Sequence, residues 1–394
     1  MQPSSPSWFS DAVIYHIFID RFAGYDADKD WRKPEFMGGN LEGIIKKADY
    51  LTELGINTLW ISPFYETNAY HGYHVTDFFK PDPRFGSVEK VQDLLNVFHQ
   101  KNIRIIADFI PNHCSIHHPY FQAALHDYGS QYRKWFYFNR RNEKYTAFLH
   151  FPELPKFNLD HPEARSYIIE AAKYWLSLGF DGLRLDHAIG PSYDFWKSFS
   201  TEIRKSFPGV VLIGEAWLEG IQLKHLKTLG IHHKYWRWMR GFRSGDIIAE
   251  YKIVLDGVLD FYFRQRITEY IAWKSAHEEY METLKQRMRD HYARFAGGFY
   301  LPSFIDNHDM NRFLFDAGQN KDKLKAALDF QFSLPQPPII YYGTETALSH
   351  TETLRMDVPF SDLQVRKPMP WNTLDDEMIG FVKLLIAERK RRKK

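Results

Sequence analysis

Apolar positions along the chain fall into two alternating rhythms. Val13–Ile19, Thr58–Phe64 and Ile103–Pro111 are short β-rich runs, whereas Leu41–Gly55 and Ser87–Asn102 repeat apolar residues every three to four positions. The first spacing predicts buried strands and the second amphipathic helices. The 41–55 helix closes on glycine, and "PEARSYIIEAAKYWLSLG" carries proline in its first turn, as helix ends require. Further strands are predicted at Gly182–Ala188, Val210–Trp217, Gly257–Phe263, Leu301–Asp309 and Pro337–Glu345. Eight strands with intervening helices predict an α/β chain closed as a (β/α)8 TIM barrel.

Two stretches break the rhythm. The 114–160 segment, rich in His, Tyr and Phe, is too long for a plain loop and reads as a small inserted subdomain between barrel parts 1–113 and 161–394. "LKTLGIHHKYWRWMRGFRSGD", before the sixth strand, mixes aromatic and basic residues without a clean period. A packed helix with snorkelling Arg and Lys is one reading, and a sugar or nucleic-acid surface the other.

The length of 394 residues suits such a barrel with insertions. Aromatics reach 17%, which fits a large aromatic core and equally a site lined by flat rings. A net charge of +2, with acids and bases interspersed, leaves no nucleic-acid footprint. The basic run Glu388–Lys394 ends a helix-like segment and reads as a solvated helix end, with a targeting or polyanion patch as the alternative. Cys114 is the single cysteine, so no internal disulfide forms and a reducing compartment is expected. The first residues show no signal-peptide pattern and no stretch has transmembrane length, so a soluble cytoplasmic protein is expected.

The chemistry concentrates where predicted strands run out. In "GFDGLRLDHA", Arg184 and Asp186 alternate with Leu183 and Leu185, so period-two geometry sends both charges to one face. Asp108, Asn112 and His113 close "ADFIPNH", Glu215 lies in "IGEAW", and His308 and Asp309 end "FIDNHD". In a parallel barrel the C-terminal strand ends form the active face. Any one of these residues could satisfy a loop amide. Four strands ending this way would crowd carboxylates at one mouth, which asks for a function or a counter-charge.

These four segments, in this order, resemble the signature regions of the α-amylase family of retaining α-glucan-active glycosidases. "AYHGYHVTDFFKPDPRFGS" is similar to that family's loop after strand two, and "ELPKFN" resembles its fifth signature in the neopullulanase, cyclomaltodextrinase and maltogenic amylase form. The likeness runs from about Val13 to Trp371. Retaining cleavage needs two carboxyl groups about 5 Å apart, one nucleophile and one acid/base. The resemblance makes Asp186 the nucleophile, with Arg184 holding it ionised. It makes Glu215 the acid/base and Asp309 the third carboxylate, which binds sugar hydroxyls. His71, Tyr73, His113 and His308 would contact the sugar, and Asp108 would support this shell.

The implied activity is hydrolysis of α-glucosidic linkages, mainly α-1,4, in maltooligosaccharides or related α-glucans through a covalent glycosyl-enzyme. A transglycosylase using the same carboxylates is the alternative, and a non-catalytic carbohydrate-binding protein on this fold is a minor one. No cofactor is required for the chemistry. Ile189 and Gly190 stand where many α-amylases have a Lys-His pair, so that sugar contact is missing. Asn112 matches one ligand of the structural calcium found in many members, but Lys156 and Asn158 replace expected acids. Asp26, Asp28 and Asp30 alternate in "GYDADKD", which suits a separate calcium or equally a solvated acidic turn. The family's C-terminal β-sandwich and the neopullulanase-type N-terminal domain are not found in the sequence, so the exposed flank is expected to be covered either by self-association into a homo-oligomer or by the chain's own aromatics.

Overall fold

Strands form where β-branched and aromatic residues cluster and glycines or prolines close the run. The computed structural model describes residues 5–139, 144–218, 244–274, 278–295, 297–355 and 357–393. Its strands, in chain order, are β1 (Ile14–Ile17), β2 (Thr58–Ile61), β3 (Tyr65–Thr67), β4 (Val75–Pro81), β5 (Arg104–Phe109) and β6 (Ala147–Phe148). They continue with β7 (Phe151–Pro155), β8 (Gly182–Leu185), β9 (Val211–Gly214), β10 (Gly257–Val258), β11 (Ser303–Phe304) and β12 (Pro338–Tyr341). The chain divides into two compact units, one of Met1–Pro6, Pro63–Pro83 and Ile106–Val258, the other of Ser7–Ser62, Arg84–Ile105 and Leu259–Lys394.

In the first unit β5, β8, β9 and β10 lie side by side, every pairing parallel. β8 and β9 are buried throughout, as parallel strands covered on both faces must be. Pro162–Ser177 is a helix that buries Ile168, Ala171, Ala172 and Trp175. Its Trp175 Nε1 donates to the Phe78 carbonyl at 2.7 Å, so the largest core side chain is also satisfied. The helix Tyr193–Ser206 starts at Ser192, whose hydroxyl caps the Phe195 amide, and buries Phe195, Trp196, Phe199 and Ile203. Two antiparallel hairpins, β3–β4 and β6–β7, complete this unit's sheet structure among the described residues.

In the second unit β2, β1, β12 and β11 are likewise parallel neighbours. Val88–Gln100 is capped by the Ser87 hydroxyl and buries Val91, Leu94, Leu95 and Phe98, the positions its spacing predicts. The parallel α/β expectation therefore holds in each unit.

Several expected elements differ. Leu41–Gly55 is two helices, Leu41–Lys46 and Ala48–Leu54, joined at Lys47. The expected strand Gly257–Phe263 stops at Val258, because Asp260 caps the Phe263 amide and opens the helix Phe261–Ile267. Leu301–Asp309 keeps only Ser303–Phe304 as strand. The final helix, Asp376–Arg392, is not simply solvated at its basic end. Arg389 is buried there, and its guanidinium donates to the Leu334 and Gln336 carbonyls at 2.6 and 2.7 Å. "LKTLGIHHKYWRWMRGFRSGD" lies almost wholly outside the described residues. Among the described residues no helix is long and apolar enough to cross a membrane.

Candidate active site

The register of the first unit decides which side chains meet. Asp108 of β5 pairs with Arg184 of β8, and Leu185 pairs with Gly214 of β9. The ladder then runs one residue past the strands. The Asp186 amide donates to the Phe109 carbonyl at 2.8 Å and the Glu215 amide to the Leu185 carbonyl at 2.9 Å. Asp186 and Glu215 thus leave adjacent strand ends at neighbouring levels.

One guanidinium ties this cluster together. Arg184 Nη1 donates to Asp108 Oδ1 and to Asp186 Oδ1, each at 2.8 Å, and Nη2 forms an ion pair with Glu215 Oε1 at 2.9 Å. Arg184 is 1% exposed, against 7% for Asp186 and 8% for Glu215. Burial works against the guanidinium charge, but Asp108, Glu215 and Asp186 outweigh it and hold Arg184 well above its ordinary range. Burial pushes the Asp108 carboxyl up to about 6, while Arg184 and the Tyr73 hydroxyl pull it back. A buried ion cluster of this kind adds little net stability, yet deleting one member leaves an uncompensated charge.

Aromatic and imidazole groups of the same unit surround it. Tyr73 Oη donates to Asp108 Oδ2 at 2.8 Å, and the Tyr73 amide donates to His71 Nδ1 at 3.1 Å. The His71 and Tyr73 rings lie 5.9 Å apart with their planes 30° from parallel. His113 is buried beside the Phe148 ring, 4.8 Å away, with Asn112 Nδ2 3.2 Å from its Nδ1. Burial and the neighbouring His74 pull His113 down to about 3, so it acts as a neutral imidazole.

Asp309 and His308 belong to the second unit. His308 Nε2 sits 3.0 Å from Asp309 Oδ2. The His308 ring meets His16 edge-on at 5.1 Å, and His16 is stacked on Trp60 at 3.6 Å. The Asp309 side chain is 32% exposed, the most open of the three candidate carboxylates.

Two participants escaped the sequence reading. Arg366 Nη2 lies 2.9 Å from Asp309 Oδ1, and its Nε donates to the His308 carbonyl at 2.9 Å. The His187 amide donates to Glu215 Oε2 at 2.9 Å, from a backbone with φ of +43°. Arg366 follows the last strand in "QVRKPMPW" with no periodic cue, and a backbone donor has no side-chain signal at all.

Two of the candidate metal ligands meet partners within their own loop. Asp30 pairs with Arg32, Nε to Oδ1 at 2.8 Å, and Asp26 Oδ1 accepts from the Asp28 amide at 3.0 Å. Among the described residues no group of three or more His, Cys, Asp or Glu is placed to hold a metal. Lys156 Nζ donates to the Gly190 carbonyl at 2.7 Å, and Asn158 Nδ2 donates to the Lys134 carbonyl at 2.9 Å. Ile189 is buried.

Comparison with known proteins identifies the family. The chain is 37% identical to alpha-amylase 2 of Dictyoglomus thermophilum over 98% of its own length and 64% of the relative's. It is 28% identical to a cyclomaltodextrinase of Bacillus sp and to neopullulanase 2 of Thermoactinomyces vulgaris, covering 66% and 64% of those proteins and 98% of itself. It therefore spans about two thirds of the length of these relatives. Among solved structures, the cyclic alpha-maltosyl-(1→6)-maltose hydrolase from Arthrobacter globiformis superposes with a TM-score of 0.81 at 25% identity, over 98% of this chain and 83% of the other. A cyclomaltodextrinase gives 0.80 at 28% identity, over 98% and 64%. Residues 16–224 and 243–386 match the model of the alpha amylase catalytic domain, and the chain belongs to the α-amylase family.

Proposed function

We propose that the chain is a retaining glycoside hydrolase that cleaves α-glucosidic linkages, mainly α-1,4, in maltooligosaccharides or related α-glucans. The observation that carries this is the single Arg184 guanidinium spanning Asp186 and Glu215, which keeps two carboxyl groups at adjacent strand ends. Retention requires such a close pair, about 5 Å apart. The same reading takes the eight parallel strands as a (β/α)8 barrel.

In this mechanism Asp186 attacks the anomeric carbon while Glu215 gives its proton to the departing glycosidic oxygen. The sugar is left as an ester of Asp186. Glu215, now ionised, takes a proton from water, the water attacks the same carbon, and Asp186 leaves with the anomeric configuration restored. Arg184 favours the ionised nucleophile. Neutral His113 can donate from one nitrogen and accept on the other, as hydroxyl recognition needs. Asp309 takes the third-carboxylate role from its motif, with His308 and His71 as hydroxyl partners and Tyr73 as the ring platform. A reducing compartment suits Cys114, a buried free thiol.

The test is turnover of maltotriose, starch, pullulan and cyclodextrin, with products separated and the first anomer read by proton NMR. Wild type should release α-anomers, and Glu215→Gln should lose about 10²–10⁴-fold in kcat. An E215Q or Asp186→Asn enzyme as fast as wild type overturns the reading. Products longer than maltotriose would show transfer to sugar rather than to water.

A further inference from the structure

Lys156 follows β7 directly, and its backbone forms an antiparallel bridge with His113. The side chain is 5% exposed, an uncommon position for an ammonium. It reaches the Gly190 carbonyl at 2.7 Å. The Gly190 amide in turn donates to the His187 carbonyl at 2.8 Å, closing a tight turn over residues 187–190. That turn holds His187 in the left-handed region, which residues other than glycine adopt uncommonly. A conformation of this kind persists only where its surroundings enforce it.

The strained residue faces the chemistry. The His187 amide donates to Glu215 Oε2 at 2.9 Å, and the Ala188 amide donates to the Glu215 carbonyl at 2.8 Å. Trp196 Nε1 and Tyr251 Oη both donate to the Ala188 carbonyl, at 2.8 and 3.1 Å, which anchors the middle of the turn. Its far end rests against Asn112, since a Cβ on Gly190 would stand 2.0 Å from Asn112 Oδ1. Lys156 brings a positive charge to the carbonyl that ends the turn.

We propose that Lys156 is a positioning residue for Glu215: its ammonium fixes the 187–190 turn through the Gly190 carbonyl, and the turn delivers the His187 amide to Glu215 Oε2. This deepens the glycosidase reading and rests on it. The consequence is electrostatic. A backbone N–H aimed at a carboxylate favours its ionised form. Glu215 is also faced by Arg184 of β8, which holds Asp186 as well, and by Asp108 of β5, which lies within charge–charge range. Lys156 itself has Asp160 as a charged neighbour, with the Tyr137 ring 5.9 Å from Nζ. Burial draws the Lys156 ammonium down to about 8, so the group remains charged at neutral pH while being easy to perturb.

The experiment measures kcat, KM and the pH profile of kcat/KM for wild type, Lys156→Met, Lys156→Gln and Lys156→Arg on maltotriose, with circular dichroism as the folding control. Removing the ammonium should let the turn relax and weaken the amide's hold on Glu215. The alkaline limb, where a general acid loses its proton, then moves upward by roughly half to one pH unit. K156M should show that shift with kcat down about tenfold and KM little changed, and K156R should restore the limb. If K156M does not fold, K156Q is read instead, with the same upward shift expected. A folded K156M or K156Q whose limb stays in place, with only its melting temperature lowered, overturns the proposal. E215Q separates the two ideas: near-wild-type turnover there defeats the glycosidase reading itself, whereas an inactive E215Q beside an unmoved limb defeats only the role of Lys156.

Discussion

Arg366 lies 2.9 Å from Asp309 Oδ1 and simultaneously fixes the residue before it, donating through Nε to the His308 carbonyl. One planar fork therefore orients both the carboxylate and the backbone that carries it. A lysine's single nitrogen cannot stand at both the Nε and the Nη2 positions, so Arg-to-Lys is not conservative here. Arg366→Met should lower kcat/KM on maltotriose by roughly ten- to a hundredfold, and R366K should recover only part of it. Steady-state kinetics on folded variants decides. A fully active R366K would mean that charge alone suffices.

Tyr73 invites a smaller change. Its hydroxyl donates to Asp108 Oδ2 at 2.8 Å, and Asp108 is the fully buried partner of Arg184. Tyr73→Phe keeps the ring but leaves that oxygen without its phenolic donor. The expected cost is about 1–2 kcal/mol in urea unfolding. KM should change by less than kcat, because the ring face that the proposed mechanism offers to substrate survives while Asp108 takes a proton more readily and loosens its grip on Arg184. A KM-only effect would point instead to a sugar contact made by the hydroxyl itself.

The order of charged strand ends was legible because each follows an apolar run: Leu183 and Leu185 announce a strand, so Arg184 and Asp186 stand out against them. Arg366 was not legible, since its partner is 57 positions away and only tertiary folding brings the two together. The "GVLDFYF" run misled for a related reason. Aromatic clustering favours strand, but Asp260 can satisfy the Phe263 amide, and that local cap wins over propensity. The β3–β4 hairpin went unseen because its pairing shifts register twice, which breaks the alternation a strand pattern needs.

The acidic loop makes a prediction about metal. Arg32 occupies the Asp30 carboxylate through two nitrogens, and Asp26 is engaged by the Asp28 amide. A carboxylate already paired with a guanidinium has less to gain from calcium than a free one. Dialysis against EDTA should therefore leave the melting temperature of wild type and of Asp30→Asn alike unchanged. A calcium-dependent rise in wild type that D30N loses would restore the loop as a site.

His118 supplies a pH test of stability. It caps the helix Pro119–His126 by accepting from the Tyr120 amide at 3.2 Å, and its Nε2 lies 3.2 Å from Tyr167 Oη. Burial pulls it down to about 4, against an ordinary 6.5, with Asp77 opposing. Below pH 6.5 the unfolded chain takes a proton that the folded one refuses until about pH 4. The unfolded state then binds more protons, so stability is full above pH 6.5 and is lost as pH falls toward 4. His118→Asn can still cap the helix but does not titrate. The unfolding free energy of wild type minus that of H118N should fall by about 3 kcal/mol between pH 7 and pH 4. A constant difference would show that the imidazole charges freely in the folded protein.

Gly43 sets two effects of opposite sign against each other. It sits inside the helix Leu41–Lys46, where alanine is ordinarily better than glycine by about 1 kcal/mol. Here, however, a Cβ would stand 2.1 Å from the Ala23 carbonyl oxygen and 2.4 Å from its carbon. That obstacle is backbone, and the same carbonyl accepts from the Asn40 amide at 3.2 Å, so it cannot swing aside without breaking the helix entry. The Asn40 side chain adds to the constraint by capping the Gly43 amide at 2.8 Å. Overpacking against fixed atoms costs about 1–3 kcal/mol or more, which exceeds the propensity gain. Gly43→Ala should lower the unfolding free energy measured in urea by a net of about 1–2 kcal/mol. Gly43→Ser should be no better, because the hydroxyl does not relieve the Cβ. A stabilised G43A in equilibrium unfolding would show that the Ala23 carbonyl yields, and that propensity governs this turn after all.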